Sequence, residues 1–133
     1  EEGERLVGEW MIQACGTIYA LRHEPFVAFD LMRGAVRLPV DVFLARLDGR
    51  FTVPHELHRG DPLSVAAADA ALGDHGGHGA VELPEGAVWR LERHEKGGVR
   101  PLMLAKWVRA TKIDGKYLPS QTGGAEVWHG MLP

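Results

Sequence analysis

The chain has 133 residues, with 18 acidic and 15 basic side chains that give a formal net charge of −3. This length fits one domain, and 45% apolar with 25% charged residues exclude a wholly disordered chain. No apolar run approaches the ~18 residues of a membrane-spanning helix, so no membrane partner is expected. The single cysteine, Cys15, excludes an intrachain disulfide and fits a reducing, cytoplasmic setting.

The first part of the chain is predicted to form two strands, a helix and a short third strand. Residues 5–12 (RLVGEWMI) mix apolar and polar positions as a strand does, and residues 26–32 (FVAFDLM) are apolar with aromatic and β-branched members. Apolar residues then recur at helical spacing in VDVFLARLDG, which follows Pro39 and ends at a glycine. Residues 51–54 predict a brief strand that a proline stops.

The second part is predicted to form one more helix and two more strands. Residues 61–73 start at an Asp-Pro pair, are rich in alanine and end at a glycine, which is typical of a helix. Residues 87–93 and 101–108 have strand patterns, and irregular structure is expected after Arg109. Helices are too few for alternating βαβ units. The sequence therefore predicts an α+β fold with a mainly antiparallel sheet flanked by helices.

Charged side chains lie inside several of these apolar strands. Glu9 stands between Val7 and Trp10, Asp30 closes the run FVAF, and Lys106 interrupts LAKWV. A buried charge costs several kcal/mol unless it is paired, so each of these groups indicates a partner, a ligand or an ion. Carboxylates, cations and aromatic residues together suit a nucleoside triphosphate with a divalent metal. Each charge taken alone also fits a solvated strand-edge residue.

Four short stretches resemble, in order and content, the motifs of ATP-dependent RNA ligases. GEW at 8–10 resembles motif III of that family, FVAFDL at 26–31 motif IIIa, EGAVWR at 85–90 motif IV, and LAKWVR at 104–109 motif V. The similarity spans about residues 5–118. The family belongs to the covalent nucleotidyltransferases, with DNA ligases and mRNA-capping enzymes. The resemblance implies part of the ligase nucleotidyltransferase (ATP-grasp-like) fold.

The resemblance also implies roles for the residues of the first two motifs. Glu9 would contact the ribose of ATP or of the enzyme-bound AMP. Phe29 would stack on the adenine, and Asp30 would support the nucleotide site.

The residues of the later motifs would act on the phosphates, the metal and the nucleic acid. Glu85 would be catalytic and would bind Mg²⁺ or Mn²⁺, while Arg90 would help to bind the nucleotide. Lys106 would contact the nucleotide phosphate and assist the attack on ATP, and Arg109 would bind nucleic acid. The implied reaction is ATP-dependent adenylyl transfer through a lysyl-AMP to a nucleic-acid 5′-phosphate, followed by strand joining. The expected partner is RNA in preference to DNA.

The lysine nucleophile of the family, in K-x-D-G, is expected upstream of motif III. None of the eight residues before Glu9 is a lysine, and Lys112-Ile-Asp-Gly115 follows motif V instead, where a loop is expected. Residues 1–133 are therefore expected to be one partial nucleotidyltransferase unit, inactive alone, whose partner is an upstream half of the domain. The alternatives are a non-catalytic nucleotide- or nucleic-acid-binding module of the same fold, and an unrelated small α+β domain.

Seven histidines and one cysteine offer other candidate sites. His55 and His58, and likewise His75 and His78, have a spacing of three residues. A zinc site normally needs three or four ligands, so the sequence favours solvated or structural histidines. Cys15 has no neighbouring base in the sequence and is expected to be a packing residue.

Overall fold

The computed structural model describes residues 3–131. Its secondary structure consists of short strands, two helices of eight residues, one shorter helix and a long hairpin. In chain order, the elements are β1 (Glu4–Trp10), β2 (Ala20–Leu21), β3 (Phe26–Arg33), β4 (Val36–Arg37), α1 (Val40–Leu47), α2 (Val65–Leu72), β5 (Gly86–Glu95), β6 (Gly98–Val108), α3 (Pro119–Thr122) and β7 (Gly130–Met131).

The strands of the described residues form three small sheets. An antiparallel sheet has the order β1-β3-β4, and β5 and β6 form an antiparallel hairpin. The third sheet pairs β2 with β7 in parallel. The α+β class with mainly antiparallel pairing is thus confirmed. The pairing is divided among three sheets, however, and the parallel pair was not predicted.

Helix α1 forms where the sequence predicts it, because its apolar spacing and its termini agree. Asp41 lies in the first turn and Arg46 in the last, so each charge complements the helix dipole. Asp48 ends the helix in the left-handed conformation, with φ of 49°, and Gly49 follows with φ of 70°. A glycine takes this conformation without strain, and it directs the chain away from the helix axis.

Two local predictions differ from the structure. Helix α2 begins at Val65 and not at residue 61, because the Ser64 hydroxyl accepts a hydrogen bond from the backbone of Ala67 and caps the helix there. The strand predicted at 51–54 is reduced to a single bridge between Thr52 and Val27. Pro54 has no N–H to extend the pairing.

The hydrophobic core lies between β3 and α1. Its buried members are Ala28 and Leu31 from the strand and Phe43 and Leu47 from the helix. Apolar residues of the β5–β6 hairpin remain at the surface, among them Val88, which is 59% exposed. No helix within residues 3–131 is long and apolar enough to cross a lipid bilayer.

Candidate functional site

A bulge in the β1–β3 pair positions the residues of the first two motifs. Val7 pairs with Asp30, but Gly8 pairs with Ala28, so Phe29 is an extra residue in β3. Glu9 lies two residues beyond Val7 and therefore shares a sheet face with Asp30. The structure thus brings the predicted residues Glu9 and Asp30 to one face. The side chain of Phe29 is 38% exposed, which leaves part of its ring accessible to a ligand.

Asp30 is buried and is held by two arginines. Its Oδ2 accepts a hydrogen bond from Nε of Arg37 at 2.8 Å, and its Oδ1 accepts one from Nη1 of Arg90 at 2.7 Å. Arg37 comes from β4 in the same sheet, whereas Arg90 comes from β5 in the hairpin. This ion pair therefore joins the segment resembling motif IIIa to the segment resembling motif IV.

Arg90 is committed to protein acceptors through all three guanidinium nitrogens. Besides Asp30, it donates to Oε1 of Glu92 at 2.9 Å and to the carbonyl oxygen of Leu38. The same oxygen of Glu92 accepts the N–H of Val40 at the start of α1. Arg90 therefore connects three parts of the structure: β3, the segment at the start of α1 and the β5–β6 hairpin.

A cavity of about 430 Å³ lies beside Glu85, at the start of β5. Its volume is within the range of small-molecule sites. The wall contains predicted residues of two motifs, Glu85 and Arg109. The other lining residues are Gly16, Thr17, Glu82, Leu83, Pro84, Thr111, Lys112, Ile113 and Lys116.

Lys112 lines this cavity and forms ion pairs with two carboxylates. Its Nζ lies 2.8 Å from Oδ1 of Asp114 and 2.9 Å from Oε2 of Glu85. The hydrogen bonds to Asp114 and Glu85 raise the pKa of Lys112 above its ordinary value. The amine is therefore protonated at neutral pH and carries no lone pair for nucleophilic attack.

Tyr19 shows that Glu9 and Glu85 act on the same region. Burial raises the pKa of its phenol to about 12, and the negative charges of Glu85 and Glu9 add to this effect. The positive charge of Lys112 acts in the opposite direction. The two carboxylates, from the segments resembling motifs III and IV, therefore both lie close enough to Tyr19 for their charges to affect its phenol.

Lys106 lies on β6 opposite Val88, and its side chain is exposed. Its charge contributes to lowering the pKa of Asp114, whose largest cause is the hydrogen bond from Lys112. Lys106 is thus close enough to Asp114 for its charge to act on that carboxylate, but it is not among the residues that line the cavity beside Glu85. An exposed ammonium at this position can reach an anionic ligand.

Arg109 is mostly buried, with 16% of its side chain exposed. Its Nε donates to the carbonyl oxygen of Pro84 at 2.9 Å, and its Nη2 pairs with Asp69 of α2. The guanidinium also lies over the ring of Trp107, 5.6 Å from its centroid. These contacts fix one wall of the cavity. The expected nucleic-acid contact of Arg109 stays a prediction.

The side chains around Glu85 could bind Mg²⁺ only together with the phosphates of a substrate. Within residues 3–131, no group of three His, Cys, Asp or Glu side chains is arranged to hold a metal. Mg²⁺, however, is usually bound by one or two carboxylates together with substrate phosphates. Glu85 fits that mode, although its Oε2 is bound to the ammonium of Lys112. A metal bound through Oε1 of Glu85 would leave the contact of Lys112 with Oε2 in place.

Several cavity residues were not predicted from the sequence. Lys116 donates to both carboxylate oxygens of Glu82, and the Tyr117 hydroxyl donates to one of them. The sequence offered one signal for this wall, the Lys112-Ile-Asp-Gly115 tetrapeptide. Its expected place in a loop agrees with the structure, but its contact with Glu85 depends on how the loop returns to the hairpin.

No protein-family model, curated protein or solved structure matches this chain. The four segments that resemble ligase motifs and the side chains around the cavity are therefore the basis of the proposed function.

Proposed function

We propose that this chain forms the ATP-binding part of an RNA-ligase-like nucleotidyltransferase. The observation that carries the proposal is the convergence of the motif residues. Arg90 is bound to Asp30, Glu85 and Arg109 line one cavity, and Glu9 acts on Tyr19 together with Glu85. Asp30 and Arg90, which are 60 positions apart in the sequence, are thus in direct contact.

The arrangement supports a division of roles between the base and the phosphates. The exposed part of Phe29 offers a stacking surface for adenine, and Glu9, on the sheet face of Asp30, offers an acceptor for a ribose hydroxyl. At the other end, Lys106 offers an ammonium for the phosphates. Glu85 would hold Mg²⁺ together with those phosphates, and the ion would neutralise charge during adenylyl transfer. RNA, in preference to DNA, is the proposed acceptor.

In this proposal Lys112 balances the charge of Glu85 and is not the adenylylated lysine. Two carboxylates hold its amine protonated, and protonated amines do not attack phosphorus. Incubation of the chain with ATP and Mg²⁺ should therefore leave its intact mass unchanged. An added AMP that disappears in Lys112→Ala would contradict this assignment.

ATP affinity, measured by isothermal titration calorimetry with Mg²⁺ present, tests the site itself. Lys106→Ala should weaken binding about tenfold or more, because a charged hydrogen bond contributes about 1.5–3 kcal/mol. Lys96→Ala is the matched control, since it removes an equally exposed lysine from the hairpin turn. Equal affinities for the two variants, or no binding by the unaltered chain, would refute the proposal.

A non-catalytic nucleotide-binding module is the second candidate. The observation in its favour is that the two lysines lining the cavity, Lys112 and Lys116, are both held by carboxylates. The two candidates differ in a measurable way. Supply of a separate polypeptide carrying the K-x-D-G segment should restore adenylylation if the unit belongs to an enzyme, and should have no effect if it is a binding module.

A further inference from the structure

Histidines from separate loops meet at a place that does not share lining residues with the cavity beside Glu85. His23 lies between β2 and β3, and His78 lies in the glycine-rich loop before β5. Nε2 of His23 and Nδ1 of His78 are 2.9 Å apart, and the two rings are inclined by 79°. The histidine pairs at three-residue spacing in the sequence do not predict this contact, because it joins positions 55 residues apart.

The orientation of His23 leaves one nitrogen available as a ligand. Its Nδ1 lies 2.6 Å from the carbonyl oxygen of Glu24. Because a carbonyl can only accept, Nδ1 carries the proton and Nε2 has the lone pair. A hydrogen bond of this kind, from the second ring nitrogen to a backbone carbonyl, is what orients histidines that bind metals.

The loop that carries His78 is held in place by a close contact with a third histidine. A Cβ at Gly77 would lie 2.3 Å from Cβ of His55, so only glycine allows this approach. The packing of Gly77 against His55 therefore holds the neighbouring His78 beside His23.

We propose that His23 Nε2 and His78 Nδ1 bind a late first-row divalent cation of the Zn²⁺, Ni²⁺ or Cu²⁺ class. Imidazole nitrogen is a preferred ligand for these ions. Two bonds of ~2.0–2.1 Å at a tetrahedral angle place the nitrogens ~3.3–3.4 Å apart. The nitrogens therefore need to separate by about 0.4–0.5 Å from their hydrogen-bonded distance, and the rings must turn so that both lone pairs point to the ion. In the free chain Nδ1 of His78 donates to Nε2 of His23, so on metal binding its proton would move to Nε2 of His78.

Water completes the coordination shell. Within residues 3–131, no three side chains of the His, Cys, Asp and Glu types surround one point. The bound ion would connect the loop before β3 to the loop before β5. Since it binds only the folded chain, it would stabilise the fold in proportion to its occupancy.

Zn²⁺ binding to the 133-residue chain tests this site. Calorimetry should show one equivalent bound, and the melting temperature should rise with Zn²⁺ concentration. His23→Ala and His78→Ala should each weaken Zn²⁺ binding by about tenfold or more. His94→Ala is the control, because His94 is exposed on β5 and should leave the affinity unchanged. An affinity that is equal in all three variants would overturn the proposal.

A second measurement needs no variant and covers the case in which a substitution prevents folding. Diethyl pyrocarbonate modifies free imidazoles, and mass spectrometry locates the modified residues. Zn²⁺ should slow the modification of His23 and His78 and leave that of His94 unchanged. Equal modification of His23 and His78 with and without Zn²⁺ would show that the two rings form only a hydrogen bond.

Discussion

Replacement of Arg90 by methionine should strongly destabilise the fold. The guanidinium lies 2.7 Å from Oδ1 of Asp30 and 2.9 Å from Oε1 of Glu92, and the side chain of Asp30 is only 4% exposed. Removal of one partner from a buried ion pair costs about 3–5 kcal/mol. Asp30 keeps Arg37, and Glu92 keeps the N–H of Val40. We therefore expect the lower end, about 3 kcal/mol.

Urea unfolding followed by tryptophan fluorescence measures this change in the free energy of unfolding. Arg93→Met provides the matched control, because Arg93 is exposed three residues along the same strand and should change stability by less than about 0.5 kcal/mol. The double variant Asp30→Asn with Arg90→Met should lose less than the sum of the two single variants, because both single variants remove the same ion pair. A loss below about 1 kcal/mol for Arg90→Met would refute the bridging role.

Two further predictions concern pH dependence and packing. Nδ1 of His129 accepts the N–H of Tyr19, and burial lowers the pKa of this histidine. The neutral ring therefore contributes fully to stability above the pKa of the unfolded chain, about 6.5. This contribution is lost as the pH falls through the lower pKa of the folded chain. His129→Asn keeps a hydrogen-bond acceptor that does not titrate. Between pH 7 and 5, the free energy of unfolding of this variant should fall less than that of the unaltered chain. An equal fall in both proteins would contradict this prediction. Gly86→Ala should cost about 1–3 kcal/mol in urea unfolding, because the new Cβ would lie 2.0 Å from the carbonyl oxygen of Trp107. Gly97→Ala, where nothing lies within 4 Å, should be nearly neutral, and an equal loss at both positions would show that the contact is not responsible.

The elements with strong local patterns were predictable from the sequence. Phe43 and Leu47 have the spacing of one helix face, and both are buried in α1. The alternation in residues 87–93 similarly identified the hairpin strand β5, although the structure extends it to Gly86–Glu95. In both cases neighbouring residues contain the information, because helical and strand periods are local properties.

The remaining fold depends on contacts between distant residues, which local patterns do not contain. β2 and β7 have only two residues each, and their pairing accompanies a hydrogen bond between Tyr19 and His129, 110 positions apart. The bulge at Phe29 likewise follows from the register of β1 against β3. Strands this short have no periodicity that a sequence pattern can reveal.

The candidate site also combines residues that local sequence patterns identify with contacts that depend on distant segments of the chain. The charge of Asp30 inside an apolar strand indicated a partner, a ligand or an ion, and the structure pairs it with Arg90. The position of Lys112 against Glu85 depends on the path of the loop after β6, which its composition does not determine. The sequence therefore pointed to several residues of the site, Lys112 among them, but not to the contact between Lys112 and Glu85.

Photolabelling with 8-azido-ATP in the presence of Mg²⁺ tests the central claim most directly. The adenine is proposed to stack on Phe29, so mass spectrometry should find the label on the peptide that contains this residue, and excess ATP should suppress it. Phe29→Ala should lower the labelling while Lys96→Ala leaves it unchanged. Labelling that ATP does not suppress, or that falls on α2 and not near Phe29, would contradict the proposed nucleotide site.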